Sequence, residues 1–230
     1  MSLDFSIFID YGPRILVGFW LTIKIVVLAI AIGLPLGVAL ALARRARLRA
    51  LRWAASAFIE LFRNTPFIIQ VFLLYYVLPF YGLRLPAEQV GVLALAAFGS
   101  AYFAEVIRGG IEAMPAGQLE SARAIGMTEM QAMRYVVLPQ AVGVILPPLT
   151  NQMLSLIKES AILSTITVQE MTMTALRIQG ETFRPFEAFI MIALLYWLLN
   201  EVVAIGMRRF ERRFTQKTRR AAPIKIEASR

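Results

Sequence analysis

The chain has 230 residues, of which 58% are hydrophobic and 17% charged, and its net charge is +9. It contains no cysteine and no histidine, which excludes disulfides and thiol catalysis and removes the commonest metal ligand and general base. The apolar residues form long runs with basic residues beside them, a pattern that indicates a membrane protein rather than a nucleic-acid-binding one.

Five apolar runs are long enough for a hydrocarbon core, which needs about 20 residues per helix. They predict an all-α membrane protein with about five transmembrane helices, and residues 1–214 are expected to form one transmembrane domain. The predicted spans are 15–43, 55–81, 89–108, 139–157 and 187–207.

Arginine and lysine set the expected orientation, because cytoplasmic loops are enriched in them. Basic runs follow the first span, from Arg44, and the fifth span, from Arg208. An odd number of spans places both runs on one side, so we expect the C-terminus in the cytoplasm and the N-terminus outside. The loop 109–138 then lies inside, and residues 215–230 are expected to form a basic, flexible tail near the headgroups.

The second span contains a proline, Pro66, which lacks an N–H donor and predicts a kink just before it. Backbone groups freed at membrane depth persist only where protein or a water-filled cavity satisfies them. Thr65 and Gln70 are therefore candidates for lining a substrate path. The alternative is a purely structural kink in which Arg63 pairs with Glu60.

The third span ends with Glu105 and Arg108, three positions apart on one helix face. This spacing favours an ion pair over a proton relay.

The polar loop 109–138 carries signals for two short helices with a glycine turn between them. Residues 118–125 can form two helical turns, and Gly126 suits the left-handed residue that closes a helix. Thr128 and Gln131 have the spacing of a capping box for a second helix.

That second helix is expected at about 129–136, ending where Leu138 and Pro139 begin the fourth span. Methionines recur at every third position and predict a soft apolar ridge; they are Met127, Met130 and Met133. A helix pair of this kind suits the docking of a soluble partner protein. The alternative is an amphipathic pair that lies on the headgroups.

Near the outer end of the fourth span, four polar residues are candidates for the substrate path: Asn151, Lys158, Glu159 and Ser160. The lysine can bind the carboxylate of an amino acid and the glutamate its ammonium group. The alternatives are that the two charges neutralise each other or rest among outer headgroups.

Two further carboxylates stand out. Glu201 lies within the fifth span and needs a partner there, for which an interhelical hydrogen bond or a dimer contact is the favoured interpretation. Glu170 belongs to a short external helix expected at 168–177 and can help to admit cationic substrates.

The spacing in the loop resembles the coupling signature of the membrane subunits of bacterial ABC importers: Glu-Ala-Ala, three residues, Gly, nine residues, Ile-x-Leu-Pro. The chain departs from this signature at Ser121 and Val136. In that family the loop inserts into a cleft of the ATPase subunit. The resemblance implies that the ATPase-coupling residues are Glu120, Ala122, Arg123, Gly126, Leu138 and Pro139.

Residues 62–67 and 158–162 also resemble elements of the polar amino-acid uptake subfamily, the histidine, glutamine and arginine type, although Asn64 replaces a glycine of the pattern. The resemblance implies a type I ABC importer permease fold in the bacterial inner membrane. It also implies a second permease copy or a homologous permease, two copies of an ABC ATPase subunit and an extracytoplasmic substrate-binding protein.

The chain contains no Gly-rich phosphate loop, so the resemblance implies that ATP and Mg bind to the partner ATPase. We expect a transport subunit with no catalytic residue, metal or cofactor of its own and no nucleic-acid partner. The alternative function is an ion-gradient-coupled secondary transporter, which would need internal repeats or several membrane carboxylates. The sequence shows neither.

Overall fold

The computed structural model describes residues 6–221, with side chains as far as Arg213. Each regular element in this part of the chain is helical. The α-helices are α1 (Ile7–Asp10), α2 (Gly12–Ala43), α3 (Arg49–Asn64), α4 (Phe67–Phe72), α5 (Ala87–Glu112), α6 (Ala116–Ala124), α7 (Glu129–Ala132), α8 (Leu138–Glu159), α9 (Met171–Thr182) and α10 (Pro185–Ala221). Leu73–Val77 and Met133–Val137 are π-helical, and Leu78–Tyr81 and Ser160–Ile166 are 3₁₀-helical.

Four helical stretches are long and apolar enough to cross a membrane: Gly12–Ala43, Ala87–Glu112, Glu129–Ile166 and Pro185–Arg213. A bent pair, Arg49–Asn64 with Phe67–Tyr81, supplies a fifth span if it is counted as one. The all-α fold and the number of about five spans are thereby confirmed.

The second predicted span, 55–81, is not one helix. α3 ends at Asn64, Thr65 and Pro66 are extended, and the chain turns by 112° before α4 begins. The break falls just before Pro66, as the missing N–H donor predicts.

The expected stop at Leu138 and Pro139 is wrong, because the helix passes from α7 through the π-helical turn Met133–Val137 directly into α8. Pro139 stands in the first turn of α8, and the wider π-turn just before it accommodates the missing hydrogen bond. At the other end of the chain, α10 continues to Ala221. The expected flexible tail at 215–230 therefore begins as helix, and its residues 222–230 lie outside the described part.

α5 is the central helix, and glycines on α2 bring the two helices close together. A Cβ atom added to Gly33 would lie 2.8 Å from the carbonyl oxygen of Ala96, and one added to Gly37 would lie 2.7 Å from Cβ of Phe103. Small residues four apart allow this backbone approach in membrane helices.

Two glycines of α5 allow α8 to pack closely against it. A Cβ atom on Gly99 would lie 2.9 Å from Cδ1 of Leu156, and one on Gly110 would lie 2.2 Å from Cγ1 of Ile145. α5 therefore holds α2 and α8 in fixed positions, and the polar segment that follows α5 connects it to α8.

Candidate functional site

Residues 115–137, which we call the docking segment, form a helix–turn–helix between α5 and α8. α6 ends in a Schellman motif: the N–H of Met127 donates to the carbonyl of Ala122 (3.1 Å) and that of Gly126 to the carbonyl of Arg123 (3.0 Å). Gly126 has φ = 84°, and a Cβ atom there would have no neighbour within 4 Å. The predicted left-handed glycine is confirmed, and it is required by backbone conformation rather than by space.

The predicted capping box also forms. The N–H of Gln131 donates to Oγ1 of Thr128 (3.3 Å), and the N–H of Thr128 donates to Oε1 of Gln131 (2.9 Å). These bonds fix the start of α7 immediately after the glycine turn.

α6 is fastened to the beginning of α8. Nε2 of Gln140 donates to Oε1 of Gln118 (3.1 Å) and to the carbonyl of Val136 (2.9 Å). Ala122 is buried on the inner side of α6. The docking segment is thus a folded unit attached to α8 rather than a free loop.

The outer surface of the docking segment carries large apolar side chains. Ile125 is 75% exposed, Met130 77% and Tyr135 65%. Met127 and Met133 are only partly exposed, so Met130 is the most exposed member of the predicted ridge of three methionines. Ile125 and Tyr135 were missed, because no periodicity marks them and their exposure depends on how the two helices pack.

The six predicted coupling residues all lie on this segment or at its junction with α8. Glu120 is exposed, and Arg123 forms an exposed ion pair with Glu129 (3.6 Å). Leu138 and Pro139 are exposed at the start of α8. The structure therefore gives Ala122 and Gly126 internal roles, in packing and in the turn, and leaves Glu120 and Arg123 on the surface.

Three arginines converge on Glu105, which is 14% exposed by its side chain. Nη2 of Arg108 lies 2.7 Å from Oε2 of Glu105, Nη1 of Arg63 lies 3.5 Å from the same oxygen, and Arg44 pairs with the other oxygen. The predicted Glu105–Arg108 ion pair is confirmed. Arg44 and Arg63 also pair with Glu105 and so tie the C-terminal ends of α2 and α3 to α5. We call these four residues the arginine cluster.

The alternative pairing of Arg63 with Glu60 is wrong. Glu60 instead accepts a hydrogen bond from Asn64 (2.8 Å), while the guanidinium of Arg63 also lies 5.7 Å from the ring centroid of Tyr102. Arg63 therefore joins α3 to α5 rather than bracing its own helix.

At the break between α3 and α4, Gln70 donates to backbone carbonyls, among them that of Phe62, which Pro66 leaves without a donor. Its Nε2 lies 2.9 Å from the carbonyl oxygen of Phe62, 3.1 Å from that of Thr65 and 2.8 Å from Oγ1 of Thr65. The side chain is buried, and its Oε1 has no hydrogen-bond partner among the described residues. The Nε2 group of Gln70 thus stabilises the break, and its Oε1 is a buried acceptor without a described partner.

The candidate path residues of α8, and Ser160 immediately after it, occupy different environments. Asn151 and Lys158 are exposed and Glu159 is partly exposed. Ser160 is fully buried, and its hydroxyl donates to the carbonyl of Ile157 (2.7 Å). In the described part of the chain, no hydrogen bond or ion pair joins these side chains to Thr65 or Gln70.

Glu170 is a buried helix cap rather than an external charge. It is fully buried, and its carboxylate accepts from the N–H groups of Thr172 (2.9 Å) and Met173 (2.8 Å) at the start of α9 and from the hydroxyl of Tyr196 (2.8 Å) on α10. Burial raises the pKa of this carboxyl above its usual value, and the hydrogen bonds oppose that shift. The expectation that it attracts cationic substrates is therefore wrong.

Glu201 pairs with Arg208 of its own helix at 2.7 Å, and both side chains are nearly half exposed. The expected interhelical hydrogen bond is therefore replaced by an intrahelical ion pair, and the dimer contact stays a prediction.

The fold and the docking segment define the class of this protein as a membrane subunit of an ABC transporter. A solved structure described as an amino acid ABC transporter with histidines has a TM-score of 0.88 to this chain and is 41% identical to it. The match covers 93% of this chain and 100% of that one.

The chain belongs to the family of binding-protein-dependent transport system inner membrane components, whose model matches residues 33–216. It is 37% identical over 211 residues to the probable glutamine ABC transporter permease protein GlnM of Bacillus subtilis (strain 168), covering 92% of this chain and 98% of the relative. It is 35% identical over 214 residues to the arginine transport system permease protein ArtQ of the same strain, covering 93% and 98%. The resemblance inferred from the sequence is confirmed, and membership implies a membrane location, an ATPase partner and a substrate-binding protein.

Proposed function

We propose that this chain is the membrane-spanning subunit of an ATP-driven importer that carries a polar amino acid across the inner membrane by alternating access. The docking segment couples it to a separate ATPase subunit, present in two copies, and a second permease copy or a homologous permease completes the pathway. ATP and Mg bind to the ATPase, so this chain has no catalytic role. The names of the glutamine and arginine permeases support the substrate class.

The observation that carries this proposal is the unbroken helical connection between the docking surface and α8. Met130 and Tyr135 are exposed near the beginning of a 38-residue helical stretch, Glu129–Ile166. At about 1.5 Å per residue this stretch is roughly 57 Å long. A partner that binds the exposed apolar side chains therefore moves α8 as a lever, and Lys158 and Glu159 lie near its far end.

The proposed transport cycle is the one that the family resemblance implies, and it uses this connection. ATP closes the two ATPase subunits on each other, the docking segments move with them, and the permease pair opens outward. The substrate-binding protein then delivers its amino acid, and hydrolysis restores the inward-open state.

The candidate substrate contacts differ in the support that they receive. Oε1 of Gln70 is a buried acceptor without a described partner, which suits an ammonium group because an unpaired buried acceptor is costly. Lys158 and Glu159 offer opposite charges to a zwitterion. Asn151, Thr65 and Ser160 remain proposed path residues, although the hydroxyls of Thr65 and Ser160 are each engaged with a backbone carbonyl.

An ion-gradient-coupled carrier is less well supported. Its ion site would use membrane-embedded carboxylates, but Glu105 and Glu201 are both neutralised by arginine in the structure.

The test uses vesicles that contain the full chain, its ATPase and its binding protein, with a panel of labelled amino acids. Met130→Glu places a charge on the docking surface and is expected to weaken ATPase binding by about 30-fold or more, the loss typical of an interface hot spot. Leu83→Glu is the matched control. Leu83 is also exposed (56%), but it lies just before the N-terminal end of α5, whereas the docking segment follows the C-terminal end. Unchanged ATP-driven uptake by Met130→Glu would contradict coupling through this surface, and uptake driven by an ion gradient without ATP would establish the carrier instead.

A further inference from the structure

An apolar groove lies between the C-terminal end of α2 and the N-terminal end of α3. Its volume is about 560 Å³, and it is widely open along its length. The residues that line it are Leu36, Ala39, Leu40, Leu42, Ala43, Ala46 and Leu51. We call it the α2–α3 groove; none of its lining residues belongs to the docking segment or to the candidate substrate path.

Four exposed arginines lie within two positions of a lining residue along the chain: Arg45, Arg47, Arg49 and Arg52. Nη1 of Arg52 lies 3.3 Å from the carbonyl oxygen of Ala46, a groove residue, which places this guanidinium at the mouth of the groove. The side chains of the other three form no hydrogen bond or ion pair within the described residues. They differ in this from the neighbouring Arg44, which is held by Glu105.

The surroundings indicate a membrane boundary. The groove begins on α2, a 32-residue apolar helix, and the arginines follow where that helix ends. Trp53 and Leu48 are 76% and 65% exposed beside the arginines. Tryptophan is enriched at membrane–water interfaces, where basic side chains contact headgroups.

We propose that the α2–α3 groove binds one anionic phospholipid, with an acyl chain along α2 and the phosphate group held by the arginines. Guanidinium groups bind phosphate oxygens in bidentate fashion, and four positive charges beside one apolar groove complement a ligand that is anionic at one end and apolar along its length. A bound lipid would hold the N-terminal end of α3 against α2. The opposite end of α3 carries Arg63 of the arginine cluster.

The experiment measures which phospholipids the full chain retains. The protein is reconstituted into vesicles of equimolar phosphatidylglycerol and phosphatidylcholine, extracted into a mild neutral detergent, and examined by mass spectrometry of the intact protein. Wild type is expected to retain phosphatidylglycerol over phosphatidylcholine by about tenfold or more. The variant R45Q/R47Q/R49Q/R52Q is expected to lose this preference. Equal retention of the two lipids by wild type would overturn the proposal.

Two further variants separate a built site from general surface charge. R209Q/R212Q/R213Q removes exposed arginines from α10, which contributes no lining residue to the groove, and is expected to keep the preference. Ala39→Phe fills the groove while it leaves all four arginines, and is expected to lose the retained lipid. Retention of phosphatidylglycerol by Ala39→Phe, or its loss from the α10 variant to the same extent as from the α2–α3 variant, would overturn the groove assignment.

A protein occupant is tested with a single cysteine. The chain has no cysteine of its own, so Leu42→Cys places one reactive thiol in the groove. Cross-linking of this thiol to a second copy or to the ATPase would overturn lipid binding. Absence of cross-linking, together with retained phosphatidylglycerol in the unlabelled protein, supports it.

Discussion

The side-chain amide of Gln70 donates a hydrogen bond to the carbonyl oxygen of Phe62, eight residues earlier, at 2.9 Å. This bond spans the break at Thr65 and Pro66, where the helix can supply no N–H donor. A broken helix at membrane depth is stable only if its free carbonyls find donors. Gln70 provides them and keeps its own Oε1 available.

Gln70→Met keeps the length of the side chain but removes both donors at the break. We expect the free energy of unfolding to fall by about 1–3 kcal/mol, the cost of leaving a buried polar group unsatisfied. Gln89→Met is the control: Gln89 is exposed on α5 and forms no side-chain hydrogen bond among the described residues, so its replacement should change stability by less than about 0.5 kcal/mol. Thermal or denaturant unfolding in detergent measures both, and equal stability of the two variants would show that the break does not depend on Gln70.

Features that depend on neighbouring residues could be predicted from the sequence. The break before Pro66 follows from a missing donor, the turn at Gly126 from the freedom of glycine, and the Thr128–Gln131 box from the spacing of one helical turn. The number of spans follows from the length of the apolar runs.

Features that depend on tertiary contacts could not be predicted. Arg63 had Glu60 within one helical turn, yet it pairs with Glu105 of another helix. Glu170 is polar and lies in a segment expected outside the membrane, yet Tyr196 of α10 helps to bury it. In each case the sequence names the charged group, and only the packing of distant helices selects its partner.

Gly126→Val is expected to uncouple ATP hydrolysis from transport while the protein stays inserted in the membrane. For a residue with a Cβ atom, the left-handed conformation costs about 1–2 kcal/mol, which is enough to open the turn. The comparison is Gly117→Val, in the same segment, where an added Cβ atom also meets nothing within 4 Å but φ is not positive. ATPase activity and uptake are measured in the same vesicles. Normal uptake by Gly126→Val would refute the role of this turn in coupling.

Glu105→Gln removes the charge on which Arg44, Arg63 and Arg108 converge. The arginines are partly exposed, so water compensates some of the loss, and we expect a fall of about 1–2 kcal/mol in the free energy of unfolding. Glu112→Gln removes an exposed carboxylate that pairs with Arg108 alone and should cost less than about 0.5 kcal/mol. If denaturant unfolding gives the same loss for both variants, the arginine cluster is not what fastens α2 and α3 to α5.

We expect Glu170 to make the stability of the protein depend on pH. It lies between the membrane spans, and burial raises the pKa of its carboxyl above the usual 4.5. Between the unfolded and folded pKa values the folded protein binds the proton more tightly, so stability falls as pH rises through that window. The stabilisation that comes from this tighter proton binding is complete below pH 4.5 and is lost as pH rises through the pKa of the folded state.

Glu170→Gln cannot titrate at this position, so the melting temperature of wild type minus that of the variant isolates the effect. This difference is expected to increase as pH falls from neutral toward 4.5 and to level off below that value. Tyr196→Phe removes a hydrogen bond that lowers the pKa of Glu170, so the window in that background should extend to higher pH. A difference that instead grows as pH rises would show that the hydrogen bonds from Thr172, Met173 and Tyr196 outweigh burial and that the cap is held as a carboxylate.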